Sequence, residues 1–358
     1  MVALLSGITL AVADRGAVPW LRALRPLWGV PLMLLAAAPW FVAIGIATEG
    51  RFFAEAVGGD MLSKVGSGEE SHWGPPGYYA LTFGLTPFPA AWIVLRALPS
   101  AWRARNQPAT RFLLAWAVPI WLLFEAVATK LPHYTLPAFP ALMLLGGAWA
   151  MDPLRRPAPR WLAWLGNAAL AGVAVGLAIA APALPLIVAR EVHPAAFLAL
   201  PAAALLLWRL AVHARAQAWG RAALAGALLA APLYAAVLEG MLPRFQAVWI
   251  APRLAAALHQ AAGGTLPPER FGVAGYHEPS LLFATGAGTS LLRNGAAAAE
   301  FLAGAPPGER IVAVGHRDEA AFRAAARERG LTVRELGSVT GLNYTRGRWL
   351  TLNLYRTE

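Results

Sequence analysis

The 358-residue chain contains no cysteine, which removes disulfide frameworks, thiolate nucleophiles and cysteine metal sites from consideration. Charge is scarce as well: 14% of residues are Asp, Glu, Lys or Arg, against about 25% in soluble domains. Lysine is almost missing. Lys64 and Lys130 carry it, the other basic side chains are arginine, and the Ala, Gly and Pro excess fits a GC-rich coding bias. No signal peptide can be read, because Val2–Ala13 lacks a charged leading segment and no small-residue cleavage site follows it. The paired spacing HExxH is absent too, so His193, His213, His259, His277 and His316 read as structural side chains.

What fills the space is apolar: 58% of residues are hydrophobic and the mean hydropathy is +0.51. These residues gather in blocks of ~18 or more, long enough to cross a bilayer core of ~30 Å. After the short segment Val2–Ala13, about seven spans are expected, at Leu27–Ala47, Tyr78–Leu98, Phe112–Ala128, Thr135–Met151, Trp161–Ala181, Pro194–Val212 and Ala222–Glu239.

The net charge of +11 invites a nucleic-acid reading, but the arginines sit in short loops between apolar blocks, where the positive-inside rule explains them. Alternate loops differ sharply. Arg15, Arg22 and Arg25 form one group, followed by Arg103, Arg105 and Arg111, then Arg155, Arg156 and Arg160, then Arg209, Arg215 and Arg221. The intervening loops hold Arg51 with Lys64, then Lys130, then Arg190. The arginine-rich set is expected in the cytoplasm, with loop 48–77, the turn at Lys130 and everything after Pro243 on the other side. Trp20, Trp28, Trp40, Trp73, Trp92, Trp102, Trp161 and Trp208 lie mostly near span ends and read as interfacial anchors.

Beyond Pro243 the pattern changes. Arg270–Ala274, Thr289–Leu292, Arg310–Val314, Thr332–Leu336 and Trp349–Tyr355 read as strands, with helices at Ala296–Ala303 and Asp318–Arg329. Gly286 and Gly288 precede a strand rather than open a helix, so they make no dinucleotide fingerprint. The expected fold is a polytopic α-helical membrane protein, residues 1–243, carrying a C-terminal soluble α/β periplasmic domain, residues 244–358.

Two polar clusters interrupt the apolar text. Loop 48–77 has an amphipathic start, Arg51–Val57, that fits a membrane interface. It continues with Asp60, Lys64, Glu69, Glu70 and His72 among glycines. Lys64 could neutralise a phosphate and Glu70 with His72 could hold a divalent metal; the alternative is a solvated charged loop. The second cluster is FEAVATKLPHYTLP, Phe124–Pro137. Glu125 lies inside an apolar run and calls for a partner or a wet cavity. Lys130 is the nearest candidate, as a stabilising ion pair. The other reading has Lys130, His133 and Tyr134 crowding one outer turn to contact a phosphate or sugar, with Pro132 and Pro137 stiffening it.

The stretches GGDMLSKVGSGEESHWGPPGYY, RFLLAWAVPIWLLFEAVATKLPHYTLPAFPAL and GLNYTRGR together resemble the bacterial aminoarabinose transferases of lipid A, which are GT-C membrane glycosyltransferases related to the protein mannosyltransferases. The KLPHY turn and the GPPGYY exit are the specific parts, and the C-terminal domain is a looser match. The resemblance implies an inverting transfer of a sugar from a polyprenyl-phosphate-linked donor to lipid A or another envelope acceptor, at the periplasmic face of the inner membrane. Cationic side chains, in some members with a divalent metal, would stabilise the departing phosphate. By carry-over Lys64, Tyr78, Lys130, His133 and Tyr134 belong to the donor-binding side. The match is to the later part of a family member, and the acidic first outer loop that carries the catalytic carboxylate has no counterpart. With Val2–Ala13 too short for a span, the chain is expected to be an N-terminally truncated portion. A transporter or flippase component, or a non-catalytic subunit for lipid-linked sugars, is the alternative; nucleic acid is not an expected partner, membrane lipids are.

Overall fold

A helix that is apolar on every face cannot expose itself to water, and Pro26–Ala47 is such a helix. Its 22 residues span about 33 Å, and no residue of it is buried by the rest of the protein. Leu27, Trp28, Leu35 and Ile46 all stand exposed. A bilayer supplies the missing cover. In the computed structural model, which describes residues 1–13, 16, 19, 22–56 and 74–358, six helical segments are long and apolar enough to cross a membrane: Pro26–Ala47, Pro108–Ala126, Pro132–Met151, Arg160–Ala189, Pro194–Arg215 and Trp219–Arg244. The described chain divides into two units, Met1–Pro182 with Pro194–Val237, and Ala183–His193 with Leu238–Glu358.

The first unit is helical: α1 (Val2–Ala13), α2 (Pro26–Ala47), α3 (Tyr78–Thr82), α4 (Ala91–Arg103), α5 (Pro108–Ala126), α6 (Phe139–Met151), α7 (Arg160–Ala189, whose end from Ala183 belongs to the second unit), α8 (Ala199–Arg215) and α9 (Trp219–Ala235). Helix α1 has 12 residues, about 18 Å, and packs Leu10 against Ala115 of α5. The amphipathic segment after α2 forms a helical turn at Arg51–Phe53, whose rings fold back on that helix. Phe52 meets Trp40 edge-on at 5.6 Å and Phe53 stacks on Phe41 at 6.1 Å.

The span expected at Tyr78–Leu98 is corrected. Helix α3 stops at Thr82, turns occupy 83–90, and α4 begins at Ala91. Pro87 and Pro89 cannot donate the backbone hydrogen bonds that would carry a helix through. Non-helical backbone at membrane depth must be covered by protein, and Phe83, Phe88 and Ala91 are buried. The freed Phe88 carbonyl accepts from the Tyr234 hydroxyl at 3.0 Å. Around this break Phe83, Val94, Ile120, Phe139 and Leu142 form an apolar core cluster.

Helix α4 also carries a buried cation that sequence reasoning missed. Arg96 is 4% exposed and donates to the carbonyls of Trp92 at 2.7 Å and Ala163 at 3.0 Å, and to Asn167 Oδ1 at 2.6 Å. Its guanidinium lies 4.8 Å from the Trp92 ring centre and 5.2 Å from that of Trp219. Trp92, expected at an interface, is therefore a buried wall of this cage, and its indole N–H also donates to Asn167 Oδ1 at 2.8 Å. These three bonds and two ring contacts all lie within the protein, so the cluster ties α4, α7 and α9 together.

The second unit holds a five-stranded sheet in the order β2-β1-β3-β5-β4. Its strands are β1 (Phe271–Ala274), β2 (Ser290–Leu292), β3 (Ile311–Gly315), β4 (Val333–Asn343) and β5 (Arg348–Thr357), and its helices α10 (Ile250–Ala262), α11 (Pro279–Thr285), α12 (Gly295–Ala303) and α13 (Glu319–Glu328). β1 pairs in parallel with β2 and β3, whereas β5 is antiparallel to both β3 and β4. All five expected strands are present. One face of the sheet packs Val273, Ala313 and Leu352 on Leu254 of α10 and Leu281 of α11. The other packs Ala274, Val312 and Val314 on Leu302 of α12 and Phe322 of α13. Both faces are covered, so the short inner strands are buried along their length, as parallel strands require.

Candidate functional site

Helix α5 ends at Ala126 and leaves its last carbonyls without intrahelical partners. Lys130 answers them. Its ammonium donates to the carbonyl oxygens of Phe124 at 3.3 Å, Glu125 at 2.7 Å and Val127 at 2.7 Å, which engages all three protons and sets a full positive charge on the negative end of the helix. The residue is 5% exposed, and its stem fills the space where Gly74 has no side chain; a Cβ there would lie 2.9 Å from Lys130 Cδ.

The Glu125 carboxylate turns the other way. Oε2 accepts from the Gly77 N–H at 3.0 Å and Oε1 from the Tyr79 N–H at 3.1 Å, so both oxygens hold the start of α3. Lys130 Nζ lies 4.0 Å from Oε2, which makes the expected ion pair the looser part of the arrangement. A carboxylate between an ammonium and a helix N-terminus has its charge balanced from two sides.

Aromatic side chains complete the patch. Tyr79 is 1% exposed, its ring 5.8 Å from Lys130 Nζ, and its buried hydroxyl has no hydrogen-bond partner of good geometry, although the Leu131 backbone is nearby. Tyr78 sits edge-on to Tyr79 at 5.2 Å. The chain continues from Lys130 into the 3₁₀ helix Pro132–Ala138, where His133 and Tyr134 meet edge-on at 5.1 Å and Tyr134 leans on Phe124 at 5.2 Å. His133 is exposed and Tyr134 and Tyr78 are half-buried. Four of the five donor-side residues named from the sequence, Tyr78, Lys130, His133 and Tyr134, thus share one neighbourhood with Glu125. Lys64 lies outside the described residues, as do Glu70 and His72. Among the described residues no three His, Asp or Glu side chains converge to hold a metal ion.

The segment that carries His133 and Tyr134 runs on into an apolar cavity of about 540 Å³, with Leu136, Phe139, Met143 and Gly146 on one side and Pro87, Ile93, Ala227 and Tyr234 on others. A polar patch and an apolar groove therefore share one stretch of chain.

No family model matches the chain. It is similar to undecaprenyl phosphate-alpha-4-amino-4-deoxy-L-arabinose arabinosyl transferase 1 of Pseudomonas fluorescens, 30% identical over 165 residues, covering 44% of this chain and 30% of that protein. The corresponding transferase of Pectobacterium carotovorum subsp. carotovorum is 31% identical over 164 residues, covering 43% and 29%. The structure superposes on ArnT from Cupriavidus metallidurans bound to undecaprenyl phosphate with a TM-score of 0.63 and 18% identity, covering 98% of this chain and 65% of that one. The apo form of the same protein gives the same TM-score. The chain thus spans less than two thirds of the solved relative, and the sequence matches cover about 30% of the length of the curated ones. Both the fold and the sequence resemblance are those of an aminoarabinose transferase-like membrane glycosyltransferase.

Proposed function

We propose that this aminoarabinose transferase-like chain binds a polyprenyl-phosphate-linked sugar and takes part in passing the sugar to lipid A or another envelope acceptor, at the periplasmic face of the inner membrane. The observation that carries the reading is the pairing of the Tyr78–Lys130–His133–Tyr134 patch with the apolar cavity along Leu136–Gly146. A lipid phosphate needs both: an isoprenoid tail buries apolar surface at about 25 cal/mol per Å², while its phosphate needs cations and hydrogen-bond donors at the membrane surface.

In a transfer of this class the anomeric C–O bond breaks and the polyprenyl phosphate leaves with a growing negative charge. His133 and the hydroxyls of Tyr78 and Tyr134 are the accessible donors for that charge. Lys130 lies behind them, its charge balanced by Glu125 and the helix carbonyls; to reach a phosphate oxygen it would exchange one of those carbonyls for it. Glu125 holds the start of α3 through the backbone of Gly77 and Tyr79, which makes it a positioning residue. Lys64 joins the donor side on the sequence resemblance alone. The arginine-rich turns, at Arg103–Arg111, Arg155–Arg160 and Arg215–Arg221, support a cytoplasmic side opposite this patch.

The test is binding of undecaprenyl phosphate to the chain in nanodiscs, read by tryptophan fluorescence and native mass spectrometry. His133→Ala with Tyr134→Phe should weaken it roughly tenfold or more, two lost hydrogen bonds to an anion. Unaltered affinity in that double variant would remove the patch from the donor site.

A further inference from the structure

The second unit contains a cavity that the donor reading leaves unused. It measures about 280 Å³ and is lined by Tyr276, His277 and Glu278 after β1, Arg293 after β2, and His316, Arg317 and Asp318 after β3. Asn343, Arg346 and Arg348 close it from the β4–β5 hairpin. Its location follows from the topology. After β1 the chain turns into α11, which packs on one face of the sheet; after β3 it turns into α13, which packs on the other. β1 and β3 are adjacent and parallel, so their C-terminal ends flank a switch point, where open α/β sheets leave a crevice for ligands. The two loops pass very close. Gly275 has φ +87°, and a Cβ on it would lie 2.7 Å from Asp318 Oδ2. β5 runs antiparallel beside β3, which swings the Asn343–Arg348 turn over the same ends.

The lining carries an excess of positive charge, four arginines against the carboxylates of Glu278 and Asp318. Arg293, Arg317, Arg346 and Arg348 are exposed, and among the described residues none of their guanidiniums makes an ion pair or a hydrogen bond. Glu278 already accepts from the Thr345 hydroxyl at 2.6 Å. A sphere of that volume is about 8 Å across, close to the Debye length at physiological salt, so the excess of two positive charges is only partly screened across it. An anion in the crevice neutralises that excess. Acceptors line the cavity too: the Asp318 and Glu278 carboxylates suit ring hydroxyl or amino groups, which inorganic phosphate lacks, and the Asn343 NH₂ can donate to them, its oxygen being taken by Thr345 and the Arg346 N–H. The size is at the small end of ligand cavities, about 300 Å³ and upward, and fits one sugar ring with its phosphate. There is no glycine-rich turn opening a helix that would cradle a dinucleotide.

We propose that this crevice is a binding site for a phosphorylated ring polyol, a sugar or an inositol, either as a free sugar phosphate or as the phosphorylated headgroup of a lipid. The arginines take the phosphate, and Glu278, Asp318 and Asn343 take the ring substituents. The proposal uses side chains of the second unit only and does not depend on the donor reading of the first.

Calorimetric titration of the full chain in phosphatidylcholine nanodiscs tests it, with glucose 1-phosphate, inorganic phosphate, glucose and short-chain phosphatidylinositol 4-phosphate as probes. Glucose 1-phosphate or the phosphoinositide should bind, with glucose and inorganic phosphate each at least about tenfold weaker. Binding of the free sugar phosphate points to a soluble ligand, and binding of the phosphoinositide alone to a lipid headgroup. Arg346→Glu with Arg348→Glu should abolish binding, and Arg293→Gln or Arg317→Gln, both at exposed positions, should each weaken it roughly tenfold. If neither phosphorylated probe binds, or if the single variants bind as tightly as the parent, the proposal is wrong.

Discussion

Replacing Glu125 by glutamine keeps the shape of the side chain and tests what its two oxygens do. The carboxylate accepts one backbone N–H on each oxygen, from Gly77 and from Tyr79. Glutamine has one acceptor, so its amide NH₂ must face the other N–H, donor against donor. Hydrogen bonds to a charged group contribute about 1.5–3 kcal/mol each and a neutral one about 1 kcal/mol. The side chain is 16% exposed, which favours the low end, and the net loss comes to about 2 kcal/mol. For a unit of this size that is a fall in Tm of about 4–8 °C, measurable by circular dichroism on the detergent-solubilised chain. The same loss should appear in a Lys130→Met background, because the amides and not the ammonium are what the carboxylate holds. Two results refute the reasoning: a glutamine variant that melts with the parent, or a loss that vanishes once Lys130 is gone.

Asn167→Leu removes the acceptor shared by Arg96 and the Trp92 indole, and should cost about 2–4 kcal/mol by leaving a buried cation underbonded, read as a lower Tm. Gly166→Ala should destabilise as well, since its Cβ would lie 2.8 Å from Arg96 Nη1; unchanged melting would mean the cage yields easily. In the second unit, hydrogen bonds from Tyr355 and then from Arg323 hold the Glu319 carboxyl below its usual range. A depressed carboxylate contributes stability above its unfolded pKa, about 4.3, and loses it as pH falls through the lower folded value. Glu319→Gln should therefore be less stable than the parent at neutral pH, with the gap closing below about pH 4 in denaturant titrations followed by strand dichroism. A gap that stayed constant to pH 3 would assign the loss to something other than titration.

Hydropathy made the membrane helices legible because a bilayer demands long apolar runs, and the short alternation of strands after Pro243 was equally plain. The break at 83–90 was invisible to the same measure. Phe83, Phe88 and Pro89 are as apolar as helix residues, and only the missing N–H groups of Pro87 and Pro89 betray it. Arg96 escaped notice because one charge hardly alters the mean of an apolar stretch; a lone arginine flanked by tryptophan inside a span was the signal to follow. Helices α10 and α11 are short and rich in alanine or framed by proline, which left them looking like connecting chain. At the polar turn, Glu125 and Lys130 were correctly paired as neighbours, yet sequence spacing could not reveal that each spends its hydrogen bonds on backbone. The arginine crevice was beyond sequence reading altogether. Its residues come from loops dozens of positions apart, and only the strand order brings them to one edge.

That strand order has a consequence for how the second unit is made. β5 follows the other four strands along the chain, yet it lies between β3 and β4. During vectorial synthesis β1, β2 and β3 can pair as they emerge, while β3 waits with one bare edge and β4 has no neighbour at all. The sheet acquires its continuity only when Arg348–Thr357 slots between them, and Leu352 and Leu354 then seal the α10 side of the core. A nascent chain stalled within Gly341–Leu350 would leave bare the edges of β3 and β4 that β5 pairs, open to any chaperone or protease that meets them. Completion of this unit is thus a late checkpoint on a membrane protein whose helices are already inserted.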